Sequence, residues 1–187
     1  MPRFVLRSQV VAEVARIERH SRGRTVFVGI DGFGASGKTS LAAAVAAAIP
    51  RAEVVHVDDF SGPTLPEWDW RRFDEQLVTP LLAGRAARYQ RWNWDRDAGG
   101  QWRVVPVGSV LVVEGVSSTR AEVRLSWDLT IWVDAPRDVR LARALERDGP
   151  AMLPRWLEAW MPSEAAYATR ERPRERVDLV VDGFDAQ

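Results

Sequence analysis

Thr25-Val26-Phe27-Val28-Gly29-Ile30-Asp31-Gly32-Phe33-Gly34-Ala35-Ser36-Gly37-Lys38-Thr39-Ser40 starts as an unbroken β-rich run and passes through glycines into an alanine-rich stretch that Pro50 stops. Apolar residues without alternation, from Thr25 to Asp31, suit a strand buried on both faces. Lys38 to Ile49 reads as a helix ended by the proline that follows it. Between them, Gly32 to Thr39 matches G-x-x-x-x-G-K-[ST], in the strand-loop-helix context that makes this pattern a phosphate-binding loop. The glycines permit a tight turn and a close approach of backbone to an anion. Backbone N–H groups from Gly34 to Thr39 are expected to cradle the β- and γ-phosphates of a nucleoside triphosphate at the helix N-terminus. The nucleotide-binding set is then Gly32, Gly34, Ala35, Ser36, Gly37, Lys38, Thr39 and Ser40. Lys38 is expected to neutralise charge on a transferred phosphoryl group, and the Thr39 hydroxyl to ligate Mg²⁺. Of 26 basic residues Lys38 is the only lysine, which falls where a compact ammonium on a flexible stem fits better than a planar guanidinium.

Outward from the loop, strands and helices alternate. Ser8 can cap a helix to about His20, with Val10, Val14 and Ile17 at helical spacing. Further strands are expected at Glu53 to Val57, Val110 to Val113, Leu129 to Val133 and Val177 to Val181, separated by helices in 70–83, 136–148 and 151–171. This order predicts an α/β three-layer sandwich, about five mostly parallel strands with helices on both faces. The whole of 1–187 is expected to be one domain, with 60–108 as an insert for an acceptor and 136–152 as a lid. The insert carries five of the nine tryptophans: Trp68, Trp70, Trp92, Trp94 and Trp102. Thr79-Pro80 is expected to divide its helix, Thr79 capping and Pro80 entering a new first turn. Trp92 and Trp94 alternate before a Gly99-Gly100 turn, which predicts a hairpin arm.

Two acidic points end later strands, in His56-Val57-Asp58-Asp59-Phe60 and Val112-Val113-Glu114-Gly115. Ligands of open parallel sheets bind beyond the carboxyl ends of the strands, so both points face the crevice of the phosphate loop. Asp58 is placed to accept a proton from an attacking hydroxyl, and Glu114 to hold Mg²⁺ directly or through water. Asp59 reads as a cap or a solvated carboxylate, and His56 as a packing or surface residue. Arg140, Arg143 and Arg147, at i, i+3 and i+7, share one face of the 136–148 helix, with Leu141, Ala142 and Leu145 on the other. Three neighbouring guanidiniums repel unless an anion or carboxylates such as Glu146 and Asp148 intervene; they are read as a lid that closes onto a transferring phosphate.

Ile30-Asp31-Gly32, Asp58-Asp59-Phe60, Glu114-Gly115 and Arg140-Leu141-Ala142-Arg143 through Arg147-Asp148 follow one another in an order that resembles the uridine kinase family of P-loop kinases. Phosphoribulokinase and pantothenate kinase are more distant kin. The resemblance implies ATP and Mg²⁺, Asp58 as general base, Glu114 as the support for Mg²⁺, and Arg140, Arg143 and Arg147 on ATP phosphates. It also implies an acceptor site around Asp58, Phe60, Asp69, Phe73-Asp74, Trp92, Trp94 and Glu114. Ser61 stands where that family has tyrosine, Trp92-Asn93-Trp94 where it has Tyr-Asp-Phe followed by histidine, and Gly149-Pro150 where its lid continues Arg-Gly-Arg. These departures fall where the acceptor would be read, and tryptophans offer a wide face for a ring or a sugar.

Composition narrows the alternatives. Formal net charge is zero and the pI about 6.8, against a broad footprint for nucleic acid or an anionic membrane. No cysteine is present, and the longest apolar run, Leu41 to Ile49, is too short to span a bilayer, so a cytoplasmic protein is expected. Asn-Lys-x-Asp, the guanine-reading motif, cannot occur with Lys38 as the only lysine. The leading expectation is a kinase acting on a hydroxyl of a small molecule, most simply a nucleoside. The alternatives are a kinase for an amino sugar, vitamin precursor or antibiotic, and a nucleotide-dependent switch or ATPase. A homodimer contact through the first helix or Leu153 to Arg172, with Trp156 and Trp160 on one face, is weighed equally with packing against the sheet.

Overall fold

A computed structural model describes residues 1–62, 65 and 67–183. Among the described residues, eight strands form two sheets: β1 (Arg3–Val5), β2 (Val26–Gly32), β3 (Ala52–His56), β6 (Val110–Glu114), β7 (Leu129–Asp134) and β8 (Leu179–Asp182) in one, and the hairpin β4 (Ala87–Asn93) and β5 (Ala98–Val105) in the other. The main sheet runs β1-β8-β7-β2-β6-β3 with every pairing parallel, so the loop strand β2 is central. All seven residues of β2 are buried, as its unbroken apolar run predicts. Val26, Val28 and Ile30 enter one core with Val10 and Val14 of α1 (Arg7–His20) and Leu41 and Val45 of α2 (Lys38–Ala48). Phe27 points to the opposite face and a second core with Val55, Leu111, Val113 and the insert. This is the three-layer sandwich expected, with one strand more than the five foreseen. That strand, β1, is three residues long and pairs with β8 at the edge, too short to leave a periodic signal.

The insert corrects two expectations. Thr79 does not cap a new helix: α3 (Trp70–Phe73) continues through a π turn, Asp74–Val78, into α4 (Thr79–Leu82). Proline removes a hydrogen bond and crowds the carbonyl four residues back, and one wider turn before Pro80 accommodates both. The same device recurs where the π turn Trp156–Trp160 joins α6 (Leu153–Arg155) to α7 (Met161–Glu171) ahead of Pro162. The hairpin turn lies at 94–97, with Asp97 left-handed at φ 50°, while Gly99 and Gly100 lie within β5. On α5 (Arg137–Asp148) the buried stripe is Arg140 and Ala144, with Ala142 exposed. Trp156, weighed as a dimer contact, is buried within the chain against the phosphate loop. Among the described residues no helix is long and apolar enough to cross a membrane.

Asp31 ties the central strand to its surroundings. Its fully buried carboxylate accepts hydrogen bonds from the N–H groups of Gly32 (2.7 Å), Ser117 (2.9 Å) and Thr119 (3.1 Å), and from the hydroxyls of Thr119 (2.7 Å) and Tyr167 (2.7 Å). Hydrogen bonds to a charged partner contribute about 1.5–3 kcal/mol each. Tyr167→Phe keeps the ring and deletes one of them, so urea unfolding should report a loss of about 1.5–3 kcal/mol. An unchanged midpoint would show that the phenol contributes nothing to the hub.

Candidate active site

The phosphate loop leaves β2 at Gly32 and enters α2 at Lys38. Gly37 adopts φ 104°, a backbone that side chains rarely tolerate, and Ala35 is left-handed at φ 58°. The Lys38 ammonium is buried and donates to the Phe33 carbonyl at 2.7 Å. Burial pulls its pKa down, while the carboxylates of Glu114, Asp31, Glu164 and Asp58 oppose that shift. The N–H groups of Lys38, Thr39 and Ser40 occupy the first turn of α2, where no intrahelical acceptor exists. Not every loop N–H is free for an anion, however. Gly34 donates to Glu164 Oε1 at 3.0 Å, and Ser36 to the Phe33 carbonyl at 3.3 Å.

Glu114, at the end of β6, sits beside the loop because β6 pairs with β2 in register. Its Oε1 accepts from Thr39 Oγ1 at 3.0 Å and from His56 Nδ1 at 2.5 Å. Burial alone would raise the Glu114 pKa, but the His56 hydrogen bond, the Lys38 charge and the Thr39 hydroxyl together hold it below the usual value. The Glu114 hydrogen bond raises His56 in turn. His56, read as a packing or surface residue, is thus a partner of the site carboxylate. Asp58 is the second residue of the turn Val57–Phe60 after β3, and its side chain is exposed. Withdrawal of water by the surrounding atoms raises its pKa, Glu114 adds to the rise, and Lys38 and His56 oppose it. Two carboxylates are thereby pushed apart, Glu114 toward permanent charge and Asp58 toward basicity. The Thr39 hydroxyl and Glu114 carboxylate are hard oxygen donors of the kind that Mg²⁺ takes from protein, one or two at a time.

Other expected residues are employed differently. Phe60 is fully buried between the rings of Tyr89 (5.3 Å) and Phe73 (5.5 Å) under the Arg72 guanidinium, so it anchors the insert rather than facing an acceptor. Asp69 caps α3 by accepting from the Arg72 N–H at 3.0 Å. Asp59 is neither a cap nor solvated: it is buried, accepting from Arg91 Nε (2.7 Å) and Tyr89 (3.2 Å). Trp92 is half-buried beside Gly62, whereas Trp94 lies exposed in the hairpin turn.

Arg140, Arg143 and Arg147 of α5 are not an unpaired row. Arg140 is 7% exposed, lies 4.4 Å over the Phe33 ring, donates from Nε to the Ala135 carbonyl at 3.2 Å and pairs with Glu164 at 3.3 Å. Arg143 donates to the Gly183 carbonyl at 3.0 Å. Arg147 pairs with Asp148 on the exposed side, near the Trp156 ring, and feels the charges of Asp58 and Glu114. Glu164 and Tyr167 had no sequence signal as site residues, because their partners Gly34 and Asp31 lie far away along the chain.

No protein-family model matches the chain. It is 28% identical over 144 residues to a uridine kinase of Lactococcus lactis subsp. cremoris, covering 67% of this chain and 69% of that one. It is also 24% identical over 149 residues to uridine-cytidine kinase C of Dictyostelium discoideum, covering 74% of this chain but 33% of that longer protein. A "possible uridine kinase" from Bacillus stearothermophilus superposes with a TM-score of 0.67 at 21% identity, over 93% of this chain and all of that one. With the phosphate loop, Asp58 and Glu114 at the carboxyl ends of one parallel sheet, the chain is similar in sequence to these uridine kinases and shares the fold of P-loop kinases.

Proposed function

We propose that the chain is an ATP- and Mg²⁺-dependent kinase that transfers the γ-phosphoryl group to a hydroxyl of a small molecule, a nucleoside first among candidates. The observation that carries this reading is the grouping of Lys38, Thr39, Glu114 and Asp58 at one crevice, with Asp58 more basic and Glu114 more acidic than ordinary carboxyl groups. Lys38 and the first N–H groups of α2 hold the phosphates and meet the charge that grows as the phosphoryl group moves. Thr39 and Glu114 would hold the metal, which would neutralise phosphate charge when bound. Asp58 takes the proton of the acceptor hydroxyl, and its raised pKa makes it a better base at neutral pH. Arg147, on the outer side of the lid, has the reach to add charge from above.

The nucleoside reading is supported by the names of the curated relatives and by the aromatic insert. ATP consumption measured with uridine, cytidine, other nucleosides, sugars and pantothenate-like alcohols tests it. Strong stimulation by uridine or cytidine is expected. Stimulation by a different alcohol alone would move the acceptor assignment, and hydrolysis indifferent to every acceptor would replace the kinase with a switch or ATPase.

A further inference from the structure

A carboxylate on an anion-binding loop is electrostatically out of place. Glu164 is 7% exposed, its Oε1 accepts the Gly34 N–H, and it lies close enough to Lys38 for each to shift the other's protonation. Gly34 allows this approach: a Cβ there would come within 2.5 Å of Glu164 Oε1 and 2.8 Å of the Trp156 ring. The second carboxylate oxygen meets Arg140, whose guanidinium also lies over Phe33, the residue before Gly34. Phe33, Arg140, Glu164 and Gly34 thus close a ring around the first half of the loop. The Phe33 carbonyl is also where Lys38 is docked.

We propose that the buried Arg140–Glu164 pair is a brace for the phosphate loop, with both as positioning residues: Glu164 fixes the Gly34 N–H, and Arg140 cancels its charge and holds Phe33. Arg140 is then withdrawn from the transferring phosphoryl group, and Arg147 alone of Arg140, Arg143 and Arg147 is left to meet it. Several features support this. Arg140 is committed on every side, to a carbonyl, a ring and a carboxylate, while among the described residues Arg147 meets its neighbour Asp148 and the Trp156 ring, 5.9 Å from the ring's centre. The pair is neutral as a unit, so it can sit beside a triphosphate without repelling it. The brace also has a rigid support, because α7 is anchored to the loop strand by the Tyr167 bond to Asp31. The inference rests on the reading of the loop as a triphosphate site, and its test separates the two.

Two proteins decide it, Arg140→Met and the double variant Arg140→Met with Glu164→Gln, assayed by calorimetric titration with Mg·ATP and by steady-state kinetics with uridine. Breaking one side of a buried pair is costly, whereas replacing both sides with neutral groups of similar size is mild. Arg140→Met leaves a bare carboxylate beside the phosphates and should weaken Mg·ATP binding about tenfold or more. In the double variant the glutamine carbonyl still accepts from Gly34 and local net charge is unchanged, so binding and kcat should both return to within about threefold of the parent. An arginine that acts on the transferring group could not be lost so cheaply, since such arginines contribute about 10³–10⁵ in kcat. A comparable kcat collapse in the double variant would therefore overturn the brace. Tighter Mg·ATP binding by the double variant than by the parent would mean that Glu164 competes with phosphate, and would overturn it too. Failure of the double variant to fold would make the pair a core element instead. If Arg140→Met binds Mg·ATP as the parent does, the brace alone falls; if the parent itself does not bind, the triphosphate reading falls with it.

Discussion

Asp58→Asn is expected to slow phosphoryl transfer by about 10²–10⁴-fold, the usual contribution of a positioned base, while Mg·ATP binding stays at the parental level. Asparagine keeps the size and hydrogen-bonding reach of the side chain but cannot take a proton. The pH dependence of the parent should carry the same signature. Asp58 must be deprotonated to act, and loss of water around its carboxylate, with Glu114 adding, raises its pKa. Activity should therefore be lost on acidification at a pH above the ordinary aspartate range, because protonation of a raised group begins earlier as pH falls. The apparent value belongs to Asp58 and Glu114 as a coupled set, so the acid limb is read as a macroscopic constant. Turnover of Asp58→Asn at the parental rate, or an acid limb that survives unchanged in that variant, would remove Asp58 from the chemistry.

Much of the framework was legible because its signals are local. A buried parallel strand, a glycine loop and an alanine-rich helix occur within about 25 consecutive residues, and one motif covers the turn between them. The two strand-end carboxylates could be placed without contacts, since a parallel sheet delivers every such end to the same side. Thr39 and Glu114 are 75 residues apart, yet the sheet rule anticipated their neighbourhood and the structure joins them at 3.0 Å.

What escaped was decided by packing across distance. Arg140 and Glu164 are 24 residues apart, separated by a π turn whose extra residue shifts every later side chain around the helix. No helical periodicity carried across that turn could have aimed Glu164 at Gly34. The arginine row was misread for a related reason: periodicity finds a common face, but which way the face looks is set by the neighbours it meets. Here it meets a carboxylate and a phenylalanine, so Arg140 is interior. Phe60 and Asp69 were drawn into the acceptor site by the family pattern, whereas the aromatic cluster and the α3 cap claim them first. Tryptophan richness in the insert said nothing about which rings face outward.

The Lys38→Met protein combines both lessons and should show the other large effect. The ammonium is surrounded by four carboxylates, Glu114, Asp31, Glu164 and Asp58, each of which works to keep it charged against burial. On the proposed reading it is at once a ligand for phosphate and the compensating charge for these carboxylates. Removing it should cost turnover at least about 10²–10³-fold, as for loss of one preorganised transition-state donor, and should weaken Mg·ATP binding as well. It should also destabilise the apo protein near neutral pH, with a sign that can be stated in advance. Asp58 and Glu164 already have raised pKa values in the folded chain, and Lys38 restrains both. Without Lys38 both rise further, so the folded variant binds more protons than the unfolded chain in the window above their ordinary values. The stability gap to the parent should then narrow as pH falls through that window. Urea unfolding at neutral and mildly acidic pH measures it. A gap that is constant, or that widens with acid, would mean that these carboxylates do not depend on Lys38, and a variant that binds and consumes Mg·ATP as its parent does would take the phosphate role from this residue altogether.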